Sequence, residues 1–315
     1  MAINENAIPS KEMSRHDWLL ARTKGIGGSD AGIILGLNKY RTAFELWLEK
    51  TGQVEPAEIS NEAIYWGNEM ENVVAKEFEK RTEKKVRRSN YMYSHPDYPY
   101  IMANLDRMVV GESAILECKT ASAYLAKEWE ADEIPATYLV QVQHYLGVTG
   151  KEKGYIAVLV GGNKFIWKEI ERDEELINMI FEAEKHFWEY HVQQGNPPEL
   201  DGSSAAEQYL KEKYDKAEKD KEIILPADYR SLLEQYEKIK SDEKLVKTAK
   251  TEIENKIKAE LKDAETGIVD SYIVSWKNQV QNRVDTKTLK EKYPDVYKNV
   301  LKPSSFRKFA VKEAK

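Results

Sequence analysis

Residues 14–22 read as a helix, with the apolar Trp18, Leu19 and Leu20 at its centre. The glycine-rich turn Gly25-Ile26-Gly27-Gly28-Ser29-Asp30 interrupts the pattern. It resumes over 31–37 and again over 42–51, where Gly52 ends it. A longer helix is predicted for 66–81, with Met70, Val73, Val74 and Phe78 on one face. Strand-like runs follow at 86–93, 100–110 and 114–119. Helices at 121–131 and 136–147 are separated by Pro135. Residues 154–160 and 164–170 read as a hairpin turning at Gly161-Gly162-Asn163. A long helix over 173–194 closes at Gly195-Asn196-Pro197-Pro198, the clearest boundary in the chain.

Beyond that boundary, 203–221 and 227–262 are rich in Lys and Glu. Leu232, Ile239, Val246 and Ile253 repeat every seven residues, but the companion positions Tyr236, Glu243, Lys250 and Ile257 are half polar. That pattern predicts a long amphipathic helix packed on a neighbour rather than a free coiled coil. A strand at 267–277, a helix at 285–300 and a last strand at 305–311 complete the pattern. The expected organisation is a core over 1–198, a Lys/Glu-rich helical region over 199–265 and a small mixed α/β region over 266–315. In class this is α/β (α+β), with a central mixed sheet flanked by helices and a helical and mixed C-terminal extension.

At 315 residues and 41% hydrophobic, the chain can bury a substantial core. Its single cysteine, Cys118, excludes an internal disulfide and cysteine-based zinc ribbons, and fits a reducing compartment. Residues 1–14 lack an apolar signal core, and no run reaches the ~20 apolar residues of a membrane span. A soluble, cytoplasmic protein is expected. The net charge of −6 does not itself favour phosphate binding, but distribution matters more than the sum. Lys80, Arg81, Lys84, Lys85, Arg87 and Arg88 form a basic cluster beside the most informative stretch.

That stretch is 104–119. Pairing its two apolar arms about Gly111 to Ser113 sets Asp106 opposite Glu117 and Cys118. Glu117 and Lys119, two apart, share a strand face. Two carboxylates suit Mg²⁺ or Mn²⁺, and a lysine beside them can orient a water or stabilise developing charge. An isolated Glu-x-Lys is ordinarily an exposed ion pair; here the flanking Ala114-Ile115-Leu116 and Ile101-Met102-Ala103 place it against a core. Pro96-Asp97 offers an alternative first acid, outside the periodic run. Glu71 falls within the apolar arc of the 66–81 helix and is a candidate third ligand, as Glu77 is by the same geometry.

The Gly27-Gly28-Ser29-Asp30 turn offers free N–H groups to an anion, and Arg22 lies upstream to add a charged contact. Ser29 or Asp30 as a plain N-cap explains the same residues. No Gly-Lys-Ser/Thr ending supports a P-loop. Gln141, Gln143 and Tyr145 stand on an otherwise apolar helix, where they could position a water, a phosphate or a base. His95, His144, His186 and His191 lack zinc-like spacing and read as structural.

Taken in order, Arg22-(x6)-Ser29-Asp30, Trp66-Gly67-x-x-x-Glu71, Asp106-(x10)-Glu117-x-Lys119 and Gln141-x-Gln143 resemble the phage lambda exonuclease and YqaJ-type viral recombinases of the PD-(D/E)xK nuclease superfamily. The resemblance spans about residues 14–195, and Gln141-x-x-x-Tyr145 also resembles a motif of RecB-type nucleases. It implies that Asp106 and Glu117, with the Cys118 carbonyl, hold catalytic Mg²⁺, for which Mn²⁺ substitutes, and that Glu71 completes a second site. Lys119 would position the attacking water, with Gln143, or alternatively Gln141, supporting the site. Arg22 and Ser29 match positions that grip a 5′-phosphate. Asn104 departs from the lambda pattern, standing where a serine is expected, and a further phosphate-gripping Arg has no clear match.

The function this resemblance implies is Mg²⁺-dependent 5′→3′ digestion of linear duplex DNA, leaving 3′ single-stranded tails for phage-type recombination. Implied partners are duplex DNA ends, a single-strand annealing protein of the RecT or Redβ type, and further copies of the chain in a trimeric ring. Two alternatives remain: a structure-specific or nicking endonuclease on the same core, and a non-catalytic DNA-binding scaffold.

Overall fold

The computed structural model describes residues 7–55, 62–130, 133–302 and 306–312. The chain divides into two compact units, Met1–Leu210 and Lys211–Lys315. In the first, β1 (Ile8–Pro9) leads to α1 (Arg15–Thr23), α2 (Gly28–Ile34), α3 (Ala43–Lys50) and α4 (Glu62–Thr82). The strands β2 (Val86–Arg88), β3 (Tyr91–Ser94), β4 (Met102–Asn104), β5 (Arg107–Val109) and β6 (Ala114–Ala121) follow. A short 3-10 turn, α5 (Ala126–Glu130) and α6 (Ala136–Thr149) carry the chain to the hairpin β7 (Lys153–Val160) and β8 (Lys164–Glu171). Next, α7 (Glu174–His186) runs on into a π-helical stretch, Phe187–Gln193, and α8 (Ser204–Lys213) begins beyond Pro198. The second unit holds α9 (Tyr229–Leu261), the hairpin β9 (Thr266–Val269) and β10 (Tyr272–Ser275), α10 (Thr286–Lys292) and α11 (Pro294–Val300).

Local chemistry starts these helices where the pattern expects. Ser14 caps α1 by accepting the Asp17 amide at 3.1 Å. Thr42 and Glu45 close a capping box on α3. Gly150, in the left-handed region at φ +65°, ends α6.

Two sheets build the first unit. One is β1-β3-β4, antiparallel throughout. The other has the order β2-β5-β6-β7-β8, mixed because β6 and β7 run parallel while the remaining neighbours are antiparallel. The parallel pair follows from the crossover through α5 and α6. Ala114, Leu116 and Cys118 of β6 pack with Val74, Ala75 and Phe78 of α4. Ile115 packs with Val142 of α6. The sheet therefore carries α4 on one face and α6 on the other, and the period of two puts Glu117 and Lys119 on the α6 side. Burying a side chain such as Phe78 contributes about 1.5–3 kcal/mol, so this alternation fixes the register firmly.

The expected single strands at 86–93 and 100–110 are each broken in two. Both breaks are places where the chain leaves one sheet for the other, at Ser89-Asn90 and at Leu105-Asp106. The Ser89 amide donates to the Asp106 carbonyl at 3.4 Å, so the two crossings lie side by side. A strand shared between sheets has to bend, and the bend frees Asp106 from the ladder.

Other differences have local causes. The 121–131 helix is shortened to α5 behind a 3-10 turn, with residues 131 and 132 outside the described residues. The first unit continues past the Pro197-Pro198 boundary, because Ala206 is buried and Tyr209 packs edge-on to Phe44 and Trp47. Within the Lys/Glu-rich stretch at 203–221 the helix ends at Lys213. In the second unit the 267–277 strand is a hairpin turning at Asp270, which has φ +48°. Pro294 splits the 285–300 helix by starting a new one. Residues 306–311 are not strand, and 303–305 lie outside the described residues. The long helix α9 packs Tyr236 edge-on to Phe309, but it buries none of its residues, and Leu232, Ile239, Val246 and Ile253 are all exposed. No helix among the described residues is long and apolar enough to cross a membrane.

Candidate active site

Carrying the β5–β6 register one residue beyond Arg107↔Leu116 sets Asp106 opposite Glu117. The Cys118 amide donates to Asp106 Oδ2 at 2.8 Å. The half-buried Asp106 and the buried Glu117 thus share one side of the sheet, at the point where the chain changes sheets.

Glu117 is 3% exposed, and its two oxygens are treated differently. Oε1 accepts from Lys119 Nζ at 2.7 Å and from Gln141 Nε2 at 2.8 Å. Oε2 is buried with no hydrogen-bond partner. The second hydrogen of Gln141 Nε2 goes to the Tyr145 hydroxyl at 3.0 Å, and Tyr145 is itself buried against Gly28. Lys119 Nζ also lies 5.4 Å from the centre of the Tyr138 ring, a cation–π contact.

Gln143 does not reach this site. Its Nε2 donates to the Glu171 carbonyl at 2.7 Å, and its Oε1 accepts the Asp173 amide at 3.1 Å. Residues two apart on a helix lie about 200° apart, so only one of the pair can face Glu117. Gln141 does; Gln143 ties α6 to the β8–α7 connection instead.

The electrostatics are those of an under-neutralised carboxylate pair. Burial first, then the Glu117 charge, pushes the Asp106 carboxyl well above the usual carboxylate range, against the pull of Lys119. The Lys119 ammonium is held above its ordinary value: burial opposes the charge, but Glu117 and Asp106 outweigh it. Burial also lifts the Cys118 thiol and the Tyr145 hydroxyl. A divalent cation would satisfy both the bare Glu117 Oε2 and the Asp106–Glu117 repulsion. The donors are carboxylate oxygens, which suit a hard cation. By this test Asp106 and Glu117 fit Mg²⁺ or Mn²⁺.

The third acid is not gathered in. Glu71 stands on α4, across the sheet from α6, and forms an ion pair with Arg107 Nη1. Among the described residues, no three acidic, His or Cys side chains are grouped to hold a metal ion. Arg107 escaped the sequence reading, though a charged residue against Met108-Val109 in a buried run was a signal.

Arg22 and Ser29 do come together, with Arg22 Nη2 donating to Ser29 Oγ at 2.8 Å and lying 3.4 Å from Asp30 Oδ1. Asp30 is buried, accepts the Gly27 amide at 3.0 Å and pairs with Lys50 Nζ at 2.8 Å. Burial would raise its carboxyl, but Lys50 and Arg22 draw it far below the ordinary value. The turn is therefore a charged anchor as well as a helix cap, a role that Lys50, among Leu46-Trp47-Leu48, did not advertise. Asn104 ends β4 in a groove it shares with Trp18, Glu71, Arg88 and Asp106. Within the basic cluster, Arg81 and Lys84 are spent on Glu77 and Glu112.

A profile described as the YqaJ-like viral recombinase domain matches residues 17–152. The YqaJ protein of Bacillus subtilis (strain 168) is 58% identical over 306 residues, covering 96% of each chain. Among solved structures, an alkaline exonuclease (LHK-Exo) from Laribacter hongkongensis is 19% identical with a TM-score of 0.49, over 63% of this chain and 97% of that one. A phage related exonuclease from Haemophilus somnus 129PT is 16% identical with a TM-score of 0.45, over 54% and 94%.

Proposed function

The chain belongs to the YqaJ-like viral recombinase family, and from that premise we propose that it is a Mg²⁺-dependent exonuclease acting on linear duplex DNA. One observation carries the reading: the buried, unpartnered Oε2 of Glu117, whose residue stands opposite Asp106 and whose Oε1 holds Lys119. A carboxylate oxygen that is desolvated and unbonded costs stability unless something is to meet it.

In this reading Asp106 and Glu117 hold the cation, with Cys118 contributing its carbonyl. Mg²⁺ bound there supplies a water of lowered pKa and charge stabilisation at the phosphoryl oxygens. Lys119 orients the attacking water and faces the charge that develops as the phosphodiester P–O bond breaks. Gln141 fixes the Glu117 rotamer, and Tyr145 fixes Gln141. Arg22 and Ser29 form the end grip: a guanidinium already ordered by Asp30 meets a terminal 5′-phosphate without first losing rotamer freedom. That grip supports 5′→3′ polarity and a 3′ single-stranded product. Assembly as a homo-oligomeric ring on the duplex, and hand-over of the tail to a RecT- or Redβ-type annealing protein, belong to the same proposal. Incubating an end-labelled linear duplex with Mg²⁺, and in parallel with EDTA, tests it: label is lost only with the metal.

A further inference from the structure

We infer that Arg107 is a latch that holds Glu71 away from the Asp106–Glu117 pair until a second divalent cation draws it in. The inference rests on the metal-dependent reading above for what Glu71 moves toward. The geometry itself is independent of that reading. Asp106 and Arg107 are consecutive, so their side chains leave the strand on opposite faces. Arg107 is in register with Leu116, which packs under α4, and so reaches Glu71 on that side. Asp106 turns toward Glu117 and Cys118 on the other.

Three features distinguish a latch from a plain structural ion pair. Arg107 is 3% exposed, yet it uses only Nη1, which donates to Glu71 Oε1 and to the Asp106 carbonyl at 2.8 Å. Its Nη2 is buried with no partner. A buried arginine with a structural role alone is expected to use its fork at both ends. Glu71, by contrast, has its side chain 27% exposed and lines a groove with Asp106, so it has room to turn once its bond to Arg107 is broken. The charges also match a device that must be displaced. Asp106, Glu117 and Glu71 face Lys119 and Arg107, leaving one net negative charge, too little for two divalent cations while Arg107 stays on its carboxylate. Arg107 is thus a positioning residue: it weakens the second cation's hold in the free protein and couples that hold to the arrival of further negative charge, such as a substrate phosphate.

The test reads metal binding without DNA. Mn²⁺ is titrated into the unmodified protein, Arg107→Met, Glu71→Gln and the double variant, and free Mn²⁺ is followed by electron paramagnetic resonance. Arg107→Met is expected to tighten the weaker class of Mn²⁺ by about tenfold or more, the gain from releasing the Glu71 carboxylate to meet the cation. The gain is expected to vanish once Glu71→Gln is added. Weaker or unchanged binding in Arg107→Met, or a gain that survives Glu71→Gln, overturns the latch. Should Arg107→Met not fold, crystals of the unmodified protein with and without Mn²⁺ decide: Glu71 on the metal supports the latch, and Glu71 still on Arg107 beside bound Mn²⁺ overturns it. No Mn²⁺ binding by the unmodified protein overturns the metal-dependent reading, and the latch with it.

Discussion

The Cys118 amide donates a hydrogen bond to Asp106 Oδ2 at 2.8 Å, joining the break in one strand to the strand that carries Glu117 and Lys119. The bond explains how a residue outside both ladders is held opposite Glu117. An asparagine can accept the same proton but brings no charge. Asp106→Asn is expected to lose at least about a hundredfold in cleavage rate, more than the loss of a supporting residue costs. Its melting temperature should not fall, since burial and Glu117 already disfavour the Asp106 anion. Paired rate and melting measurements check both halves.

Gln141 and Gln143 separate function from fold. Gln141→Ala removes the donor to Glu117 Oε1 and to the Tyr145 hydroxyl, and should slow cleavage about tenfold besides costing about 1–2 kcal/mol in stability. Gln143→Ala removes the bonds to the Glu171 carbonyl and the Asp173 amide, and should cost about 1–2 kcal/mol in urea unfolding while leaving the rate intact. The reverse pattern would show the site assignment to be wrong.

Gly28 ties the anchor turn to the carboxylate site. A Cβ there would stand 2.5 Å from Tyr145 Cε1, on a ring packed too deeply to yield freely. Gly28→Ala is expected to destabilise by about 1–3 kcal/mol and to slow cleavage through Tyr145 and Gln141. Denaturant melts and single-turnover rates measure the two effects.

His144 and Glu184 form a buried pair at 2.7 Å, with His144 Nε2 donating to the Met102 carbonyl at 2.8 Å. Burial disfavours the imidazolium, but Glu184 raises its pKa above the usual 6.5. A raised folded-state value contributes stability that is fully present below pH 6.5 and lost as pH rises through that value. The upward shift of Glu184, from burial, has the same sign. The protein should be more stable at pH 6 than at pH 9, and Glu184→Gln should shrink the difference. Urea midpoints at the two pH values test this.

Much of the first unit was legible because its elements obey one period each. The register of 114–119 against 106–109 follows from alternation about a single glycine turn, and it delivered Asp106, Glu117 and Lys119 together. Arg22 and Ser29 were legible from chemistry at a helix start. The sheet switches at Ser89-Asn90 and Leu105-Asp106 were not, since a run that feeds two sheets keeps the same alternation throughout. Choosing between Gln141 and Gln143 needed the helix phase relative to the sheet, which spacing alone does not supply. The Glu71–Arg107 pair lay hidden for a related reason: each belongs to a separately readable element, and only their packing joins them. In the second unit the heptad of α9 was legible, but its burial was not, because burial depends on a partner surface.

On the proposed function, Asp106, Glu117 and Lys119 make one metal-dependent phosphodiesterase site working from DNA ends. A timed digest of 5′-phosphorylated linear duplex labelled at either end, alongside a covalently closed circle, tests it most directly when run with unmodified protein, Glu117→Gln and Lys119→Ala. Mg²⁺-dependent loss of the 5′ label ahead of the 3′ label is expected, with an intact circle, rates about 10²–10⁴-fold lower in Lys119→Ala, and Glu117→Gln at least as impaired. An intact linear duplex in Mg²⁺, or full activity in Glu117→Gln, would contradict it, and a nicked circle would move the activity to the endonuclease class.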